Sequence, residues 1–529
     1  MKAFATMLDK LSYTPSRNGK LALLKDYFLS TADPDRGYAL AAITDGLPFS
    51  FPVRQTVLEL AGEHIDPQLF RISRDYVGDT AETLSLIWPN RNVGAVPSLA
   101  EVIETLGLIG RNQLKAQLAT WLDTLDVNGR WALLKIVTGG MRTGVSARLA
   151  KLALTEAFGK PVEDIEEVWH GLVMPYTPLF TWLGGEGARP DVKDVPVFRP
   201  LMLSHPLDSE DLAGLNPLDY QIEWKWDGIR GQLCARAGGT RLYSRSGDDI
   251  SGTFPEFLNM PFSATLDGEL MVVRDGVVAP FQDLQQRLNR KTVTKKMLTD
   301  YPVHIRLYDV LELDGVDLRA YPLIERRNRL EAWVQQHKSP YMDVSEILAV
   351  HTSEQLQSIW TATRGDSIEG LMLKRRDSLY VSGRPRGQWW KWKRQALNAD
   401  CVMIYAQRGS GKRSSFYSDY TFAAWDESKT PRELVPVGKA YSGFTDEELK
   451  KLDHFVRNNT TNKFGPVRQV KPTLVLEVAF DAVQASSRHK SGIAMRFPRI
   501  SRIRWDKPAE EADTVQSLRR FADTNQNPA

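Results

Sequence analysis

Residues 221–233, with the sequence QIEWKWDGIRGQL, carry one lysine between two tryptophans. Alternation of apolar and polar residues predicts a strand that points Glu223 and Lys225 the same way, followed by Asp227 and Arg230. Asp-Gly is a strong turn signal, so the simplest interpretation is a hairpin with a solvated polar edge. The alternative is a reaction centre built around an amine, because burial, cationic neighbours or a metal can make a lysine nucleophilic.

Later segments repeat this combination of short apolar strands and charged side chains. Strand alternation places polar residues together on one face in LDGEL, RLYDV and WWKWKR: Asp267 with Glu269, Arg306 with Tyr308, and Lys391 with Lys393. In EGLMLKR, Glu369 and Lys374 are five residues apart, so a regular strand would put them on opposite faces. If both serve one pocket, the backbone must bend, and Gly370 is the natural position for the bend.

Composition indicates an ordinary globular protein of several domains. The 529 residues suggest roughly three domains, and 42% hydrophobic and 25% charged residues are typical values. No apolar run approaches the ~20 residues of a membrane span, and the first residues lack the continuous apolar core of an export signal. The two cysteines, Cys234 and Cys401, cannot form a four-cysteine zinc site, so we expect them to be reduced thiols.

Charge distribution is more informative than net charge. The net charge of +3 is too near balance to indicate a nucleic-acid partner by itself. Residues 407–420 (QRGSGKRSSFYSDY) and 496–507 (RFPRISRIRWDK), however, are basic with interleaved aromatic residues. Such segments are typical of surfaces that bind nucleic acids.

The chain divides into regions of different pattern. Residues 1 to about 175 have helical periodicity, interrupted by GGMRTGVS at 139–146, where backbone amides and Arg142 could hold a phosphate. A plain turn between helices is the simpler interpretation of that segment alone. Residues 174–208 are rich in Pro and Gly and predict a linker. Strand and helix patterns then alternate up to about 395, which predicts an α+β domain, and short strands from 397 predict a small β-barrel.

Taken in order, the segments EWKWDGIR, YSRSG, LDGEL, LYDV, EGLMLK, WWKWKR and RFPRISRIRWDK resemble the motif series of ATP-dependent DNA ligases in the nucleotidyltransferase superfamily. A lone KxDG would be weak evidence, but an ordered series over residues 200–507 is specific. The resemblance implies a multidomain protein: an all-α DNA-binding domain with its linker at 1–200, an α+β nucleotidyltransferase (adenylation) domain at 201–396, and a β-barrel OB-fold domain at 397–529. It also implies a monomeric bacterial enzyme of DNA repair or replication that works in the cytoplasm at the nucleoid.

The resemblance further implies roles for individual residues. Lys225 would attack the α-phosphate of ATP, Glu223 would accept from the adenine amino group, and Tyr308 would stack on the base. The full set of implied nucleotide contacts is Glu223, Arg230, Arg245, Glu269, Tyr308, Lys374, Lys391, Lys393 and Arg502. Mg²⁺ would be held by Asp227, Glu269 and Glu369, since hard divalent ions take carboxylate oxygens. Nicked duplex DNA would contact Arg142, Gly144, Arg408, Lys412 and Arg413.

Three other interpretations share part of this pattern. An RNA ligase or capping enzyme has the same core, but the helical front and the RFPRISRIRWDK end favour a DNA ligase, and Glu223 fits adenine. An NAD-dependent ligase would need a different front piece and normally a four-cysteine zinc module, which two cysteines cannot form. A non-catalytic clamp on nicked DNA would have lost the lysine, whereas Lys225 and its carboxylates are present.

Overall fold

The computed structural model describes residues 1–47, 53–77, 79–89, 94–139, 141, 143–288, 290, 292–362, 367–394, 396–408, 416–486 and 489–523. These residues form two compact units, residues 1–191 and the described residues from 192 onward. No helix in these ranges is both long enough and apolar enough to cross a membrane.

The first unit is helical throughout its described part. Its helices are α1 Lys2–Tyr13, α2 Arg17–Ser30, α3 Asp35–Ile43, α4 Val53–His64, α5 Pro67–Val77, α6 Thr80–Ile87, α7 Leu99–Leu108, α8 Arg111–Thr124, α9 Val127–Thr138, α10 Ala147–Phe158, α11 Val162–Trp169 and α12 Thr177–Leu183. Serine and glycine residues mark the ends of several of these helices. Ser98 and Ser146 cap α7 and α10 by accepting a backbone N–H of the first turn. Gly139 and Gly159 end α9 and α10 in the left-handed conformation.

The second unit begins with an α+β region. Its strands are β1 His205–Pro206, β2 Tyr220–Trp226, β3 Ile229–Arg236, β4 Gly239–Ser244, β5 Ala264–Arg274, β6 Val277–Val278, β7 Val303–Leu313, β8 Val316–Asp317, β9 Met342–Val344, β10 Ile368–Arg375 and β11 Trp389–Lys393. Its helices are α13 Ser209–Ala213, α14 Phe281–Gln285, α15 Lys295–Asp300, α16 Leu323–Gln336 and α17 Ser353–Ala362.

These strands form two sheets that divide the predicted site between them. One sheet has the order β1-β11-β10-β2, and the other has β4-β3-β5-β7-β8, with β6 beside β5 and β9 beside β7. Each sheet has an apolar face, around Ile222, Leu371 and Trp390 in the first and around Leu266 and Ile305 in the second. The alternating polar residues are therefore left to the other faces.

The hairpin predicted at Asp227–Gly228 is wrong. Strand β2 ends at Trp226 and pairs with β10, whereas β3 begins at Ile229 and pairs with β4 and β5. Asp-Gly therefore carries the chain from one sheet to the other. Gly228 is required by packing, because a Cβ there would lie 2.4 Å from the carbonyl oxygen of Leu270.

The remainder of the second unit is rich in β-structure, as predicted. It contains β12 Leu397–Arg408, β13 Tyr417–Asp426, β14 Glu433–Ala440, β15 Thr460–Phe464, β16 Val467–Val470, β17 Val475–Phe480, β18 Ala482–Ala485, β19 Ile493–Arg496 and β20 Arg499–Arg504, with α18 Asp446–Asn459 and α19 Val515–Asp523. The sheet order is β14-β13-β12-β16-β15, and β17 pairs with both β12 and β20. The long strand β12 pairs with β17 along its first half and with β16 near its end, so one strand serves both parts of the sheet.

Candidate functional site

Two β-bulges aim predicted site residues into one pocket between the two sheets. Trp226 pairs with Ile368 and Lys225 with Gly370, so Glu369 is the extra residue of a bulge in β10. In β7, the register shifts in the same way between the partners of Asp267 and Gly268, and Tyr308 is the extra residue. A bulge re-aims the side chain of the extra residue, which is why Glu369 and Lys374 can serve the same face.

The predicted bend at Gly370 is confirmed. Its φ of +144° lies in the region that side chains other than glycine rarely adopt. A Cβ on Gly370 would lie 2.1 Å from the carbonyl oxygen of Trp392 on the neighbouring strand. Glycine is therefore required at this position both by conformation and by the close approach of β11.

Lys225 lies in a cluster of alternating charges. Its Nζ is 2.5 Å from Oε2 of Glu369, and Nζ of Lys393 is 3.2 Å from the same oxygen. Burial opposes ionisation of Glu369, but the charges of Lys225 and Lys393 prevail and lower its pKa to about 2. The pKa of Lys391 is lowered by burial and by its cationic neighbours, which include Arg245 and Lys225. The predicted cationic surroundings of the lysine are thus present, with Glu369 as the bridge between two of the cations.

A buried ion pair lies next to this cluster. Glu223 and Lys374 have side chains that are each 2% exposed, and Nζ of Lys374 is 3.0 Å from Oε1 of Glu223. The same ammonium lies 3.9 Å above the Tyr308 ring and 5.0 Å from the Trp389 ring centroid. Burial lowers the pKa of Lys374, while Glu223 opposes that change. Lys374 thereby joins the two sheets, since Tyr308 belongs to the second.

Arg230 is held in place by a network that includes two residues missed from the sequence. Its guanidinium donates to both carboxylate oxygens of Asp267, at 3.0 and 2.6 Å, and to the hydroxyl of Tyr380 at 3.1 Å. The Tyr308 hydroxyl also donates to Asp267, at 3.2 Å. In the sequence, Asp267 is distinguished only by its strand face, and nothing singles out Tyr380. Their effect is to fix Arg230 opposite Glu269, its partner in the β3–β5 register.

The predicted metal ligands are close to one another but are engaged with cations. Burial raises the pKa of Glu269 to about 7, although Lys225 and Arg230 oppose the rise. Burial also raises the pKa of Asp227, against the effect of Arg496. Within the described ranges, no group of three or more His, Cys, Asp or Glu side chains is arranged to hold a metal ion.

Arg496, at the end of β19, reaches the lysine motif, whereas the sequence resemblance implies Arg502 as the nucleotide contact of this basic segment. Both Nη atoms of Arg496 donate to the carboxylate of Asp227, one of them at 2.7 Å. The guanidinium also lies 4.5 Å from the ring centroid of Phe281. Arg502 is exposed on β20, and its charge helps to lower the pKa of Asp506, after the larger effect of the Arg504 hydrogen bond. The basic segment pointed to both arginines, but only contacts distinguish them.

Two further predicted residues, Arg245 and Arg408, are exposed. Arg245 is exposed near Lys391, and Arg408 is exposed at the end of β12, 5.7 Å from the ring centroid of Tyr417. Arg142, Lys412 and Arg413 lie outside the described residues.

Gly144 lines a cavity of about 320 Å³ in the helical unit. Arg17, Lys20 and Arg148 line the same cavity, at the first turns of α2 and α10. Lys20 donates to the carbonyl oxygen of Thr143, and Gly144 has a φ of +66°. Three cations and the positive ends of two helices therefore face one concave surface, which favours anions.

Family models and known proteins match the chain over the regions that contribute residues to the pocket. The family model described as ATP dependent DNA ligase domain matches residues 201–393, and ATP dependent DNA ligase C terminal region matches residues 413–507. A Probable DNA ligase from Opitutus terrae is 31% identical over 98% of this chain, which spans 62% of that relative and so less than two thirds of it. DNA ligase 1 of Korarchaeum cryptofilum is 30% identical over 98% of this chain and 97% of its own length.

A solved structure supports the same fold. Pmar-Lig_PreS3 matches 95% of this chain and 99% of its own, with a TM-score of 0.56 and 17% identity, so it bears on the fold alone. The two family models together cover just over half of the 529 residues, and the Korarchaeum relative matches along nearly its entire length. The chain therefore belongs to the ATP-dependent DNA ligases, the enzymes that seal nicks in duplex DNA.

Proposed function

We propose that the pocket around Lys225 carries the ligase chemistry of this chain. The Lys225 amine displaces pyrophosphate from ATP to give a lysyl-AMP phosphoramidate, AMP passes to the 5′-phosphate at a nick, and the adjacent 3′-hydroxyl displaces AMP. The observation that carries this proposal is the charged cluster at Lys225, where Glu369 lies 2.5 Å from the amine and Glu269 of the second sheet interacts with it electrostatically. Because each step is phosphoryl transfer to a different nucleophile, positioning and charge neutralisation supply most of the catalysis.

The ion pair with Glu369 holds the Lys225 amine in place before substrate binds. A carboxylate whose pKa is about 2 is a poor proton acceptor near neutral pH, so Glu369 orients the ammonium and does not act as the base. Glu269, with a pKa of about 7, interacts electrostatically with Lys225 and is better matched to accept a proton. Attack therefore requires that the Lys225 amine turn from Glu369 toward the α-phosphate.

We assign the nucleotide contacts as the resemblance implies. Glu223 selects the base, Tyr308 stacks on it, and Arg230 and Glu269 contact the ribose. The phosphates are held by the cations that surround Lys225 or that approach it with the C-terminal region: Arg245, Lys374, Lys391, Lys393 and Arg502. Support comes from the burial of Glu223 and Lys374 beside Tyr308, which places an aromatic ring and a buried acceptor next to each other.

Mg²⁺ is proposed as the divalent ion. Three carboxylates, Asp227, Glu269 and Glu369, are donors of the kind that Mg²⁺ prefers. Burial is the main cause of the raised pKa values of Asp227 and Glu269, and the charge of Glu369 adds to it in both, so a cation is favoured among them. Bound there together with phosphate oxygens, Mg²⁺ would neutralise phosphate charge.

For DNA, we propose that residues 1–200 form a DNA-binding domain, 201–396 the adenylation domain and 397–529 an OB-fold domain. The cavity beside Gly144 supports backbone binding by the helical unit, because its three cations suit phosphate oxygens. We assign further backbone contacts to Arg142, Arg408, Lys412 and Arg413 from the resemblance. The monomeric state and the cytoplasmic location at the nucleoid remain predictions.

The test is covalent labelling with ATP that carries label at the α-phosphate, in the presence of Mg²⁺. We expect label on the wild-type chain after gel electrophoresis and no label on Lys225→Ala. The control variant Lys295→Ala replaces an exposed lysine at the start of α15 and should be labelled normally. Label on the Lys225→Ala chain, or label taken up from NAD in place of ATP, would overturn the proposal.

A further inference from the structure

Gln221, on the first half of β2, is buried beside the base-selecting carboxylate although it belongs to none of the motifs. It is 1% exposed, and its Nε2 donates to Oε1 of Glu223 at 2.7 Å. In the β2–β10 register it is paired with Lys374, the other partner of Glu223. Gln221, Glu223 and Lys374 therefore form one buried polar group on the pocket face of the sheet.

Both donors bind the same oxygen of Glu223. Lys374 Nζ is 3.0 Å and Gln221 Nε2 is 2.7 Å from Oε1, and among the described residues no donor is found for Oε2. A carboxylate oxygen accepts about two hydrogen bonds, so Oε1 is saturated. The free acceptor capacity of Glu223 is thus confined to Oε2.

Two donors on one oxygen also fix the plane of the carboxylate. The terminal torsion of a glutamate side chain is soft, and a single ion pair with a flexible lysine leaves it free to turn. A buried ion pair needs further hydrogen bonds to its charged groups to be stable. Gln221 supplies such a hydrogen bond to the Glu223 carboxylate, in addition to the contact with Lys374. The amide, held by its own burial in the strand, therefore sets the direction in which Oε2 points.

We propose that Gln221 is a positioning residue for base selection, which holds Glu223 so that Oε2 accepts a hydrogen bond from a purine 6-amino group. A purine with a 6-carbonyl presents an acceptor to this acceptor and is rejected. This inference rests on the proposed role of Glu223 in base selection and adds the residue that orients it. Gln221 itself does not touch the nucleotide.

The test compares single-turnover labelling of the chain by ATP, by GTP and by the triphosphate of unsubstituted purine riboside. Gln221→Met keeps the length and burial of the side chain but removes its donor. We expect the preference for ATP over both analogues to fall by about tenfold, which corresponds to one hydrogen bond to a charged group at about 1.4 kcal/mol per factor of ten. Gln221→Thr, a substitution suited to a strand, provides a second variant should the methionine chain fail to fold.

A matched control separates base selection from the loss of any buried amide. Gln232 is also 1% exposed, and its amide binds the backbone of Arg199, so Gln232→Met should leave the preference for ATP unchanged. A purely structural role for Gln221 would slow labelling by all three nucleotides equally, and that result would overturn the inference. Unchanged preference in a folded Gln221 variant would overturn it as well. If Lys225→Ala were still labelled, the proposed function would fail instead, so the two failures are distinguishable.

Discussion

Replacing Gly370 with alanine should disrupt the reaction centre through the backbone. A non-glycine residue at a φ of +144° costs about 1–3 kcal/mol by itself. The added Cβ would also stand 2.1 Å from the carbonyl oxygen of Trp392 and 3.0 Å from Cα of Lys393, so β10 and β11 must separate. That movement pulls Lys393 away from Glu369 and Lys225, and it distorts the bulge that aims Glu369 at Lys225.

The expected cost to catalysis follows from the size of this displacement. Relief of the overlap requires a movement of about 1 Å, and a misplacement of that size costs about 100-fold in rate. We therefore expect single-turnover labelling of Gly370→Ala by ATP to slow by about 100-fold. The unfolding midpoint of the second unit should fall by roughly 5 °C or more, for a loss of about 3 kcal/mol.

A second glycine separates conformational strain from close approach. Gly276, in the turn between β5 and β6, has a φ of +80°, and a Cβ there would meet nothing within 4 Å. Gly276→Ala should therefore show the strain alone, with a small loss of stability and normal labelling. Wild-type labelling by Gly370→Ala, or an equal loss in both variants, would refute the argument.

Two further predictions concern charge. Because the pKa of Glu269 in the folded chain is about 7, above its ordinary value of 4.5, the folded state binds this proton more tightly and stability is lost as pH rises from 4.5 through 7. The free energy of unfolding of Glu269→Gln should therefore exceed that of the wild type by up to about 3 kcal/mol at pH 8 and by little at pH 4. An equal difference at both pH values would contradict this. Arg17 lines the cavity beside Gly144. For Arg17→Gln, the slope of log affinity for nicked duplex DNA against log salt concentration should be shallower by roughly one. Lys160→Gln, just beyond the other end of α10, should change that slope less, and equal slopes for the two variants would contradict a phosphate contact at Arg17.

Local patterning was sufficient to predict the strands that carry the site. Alternation correctly placed Glu223 and Lys225 on one face, and the neighbouring Ile222 belongs to the apolar cluster on the other face. It also indicated that Glu369 and Lys374 could share a pocket only if the chain bends at Gly370, and the bulge lies there. These predictions succeeded because they depend on the two-residue period of a strand and on the conformational freedom of glycine, both of which are local properties.

Pairing between strands was not predictable in the same way. The Asp-Gly signal indicated a hairpin, yet β2 and β3 join different sheets, because the apolar faces of both strands are better buried by other partners. The bulge at Tyr308 likewise exists only by comparison with β5. A turn signal reports a change of direction, while the partner of each strand is decided by long-range packing.

The sequence by itself predicted the candidate reactive residues, the order of the regions and the glycine at which β10 bends, since each follows from residue type and spacing or from the resemblance they carry. Only the tertiary structure decided which charges meet. It paired Asp227 with Arg496 and not with Arg502, gave Arg230 to Asp267 and Tyr380, and placed Gln221 against Glu223. The physical reason is that hydrogen bonds and ion pairs act over about 3 Å between residues that can be hundreds of positions apart, and only packing brings them within that distance.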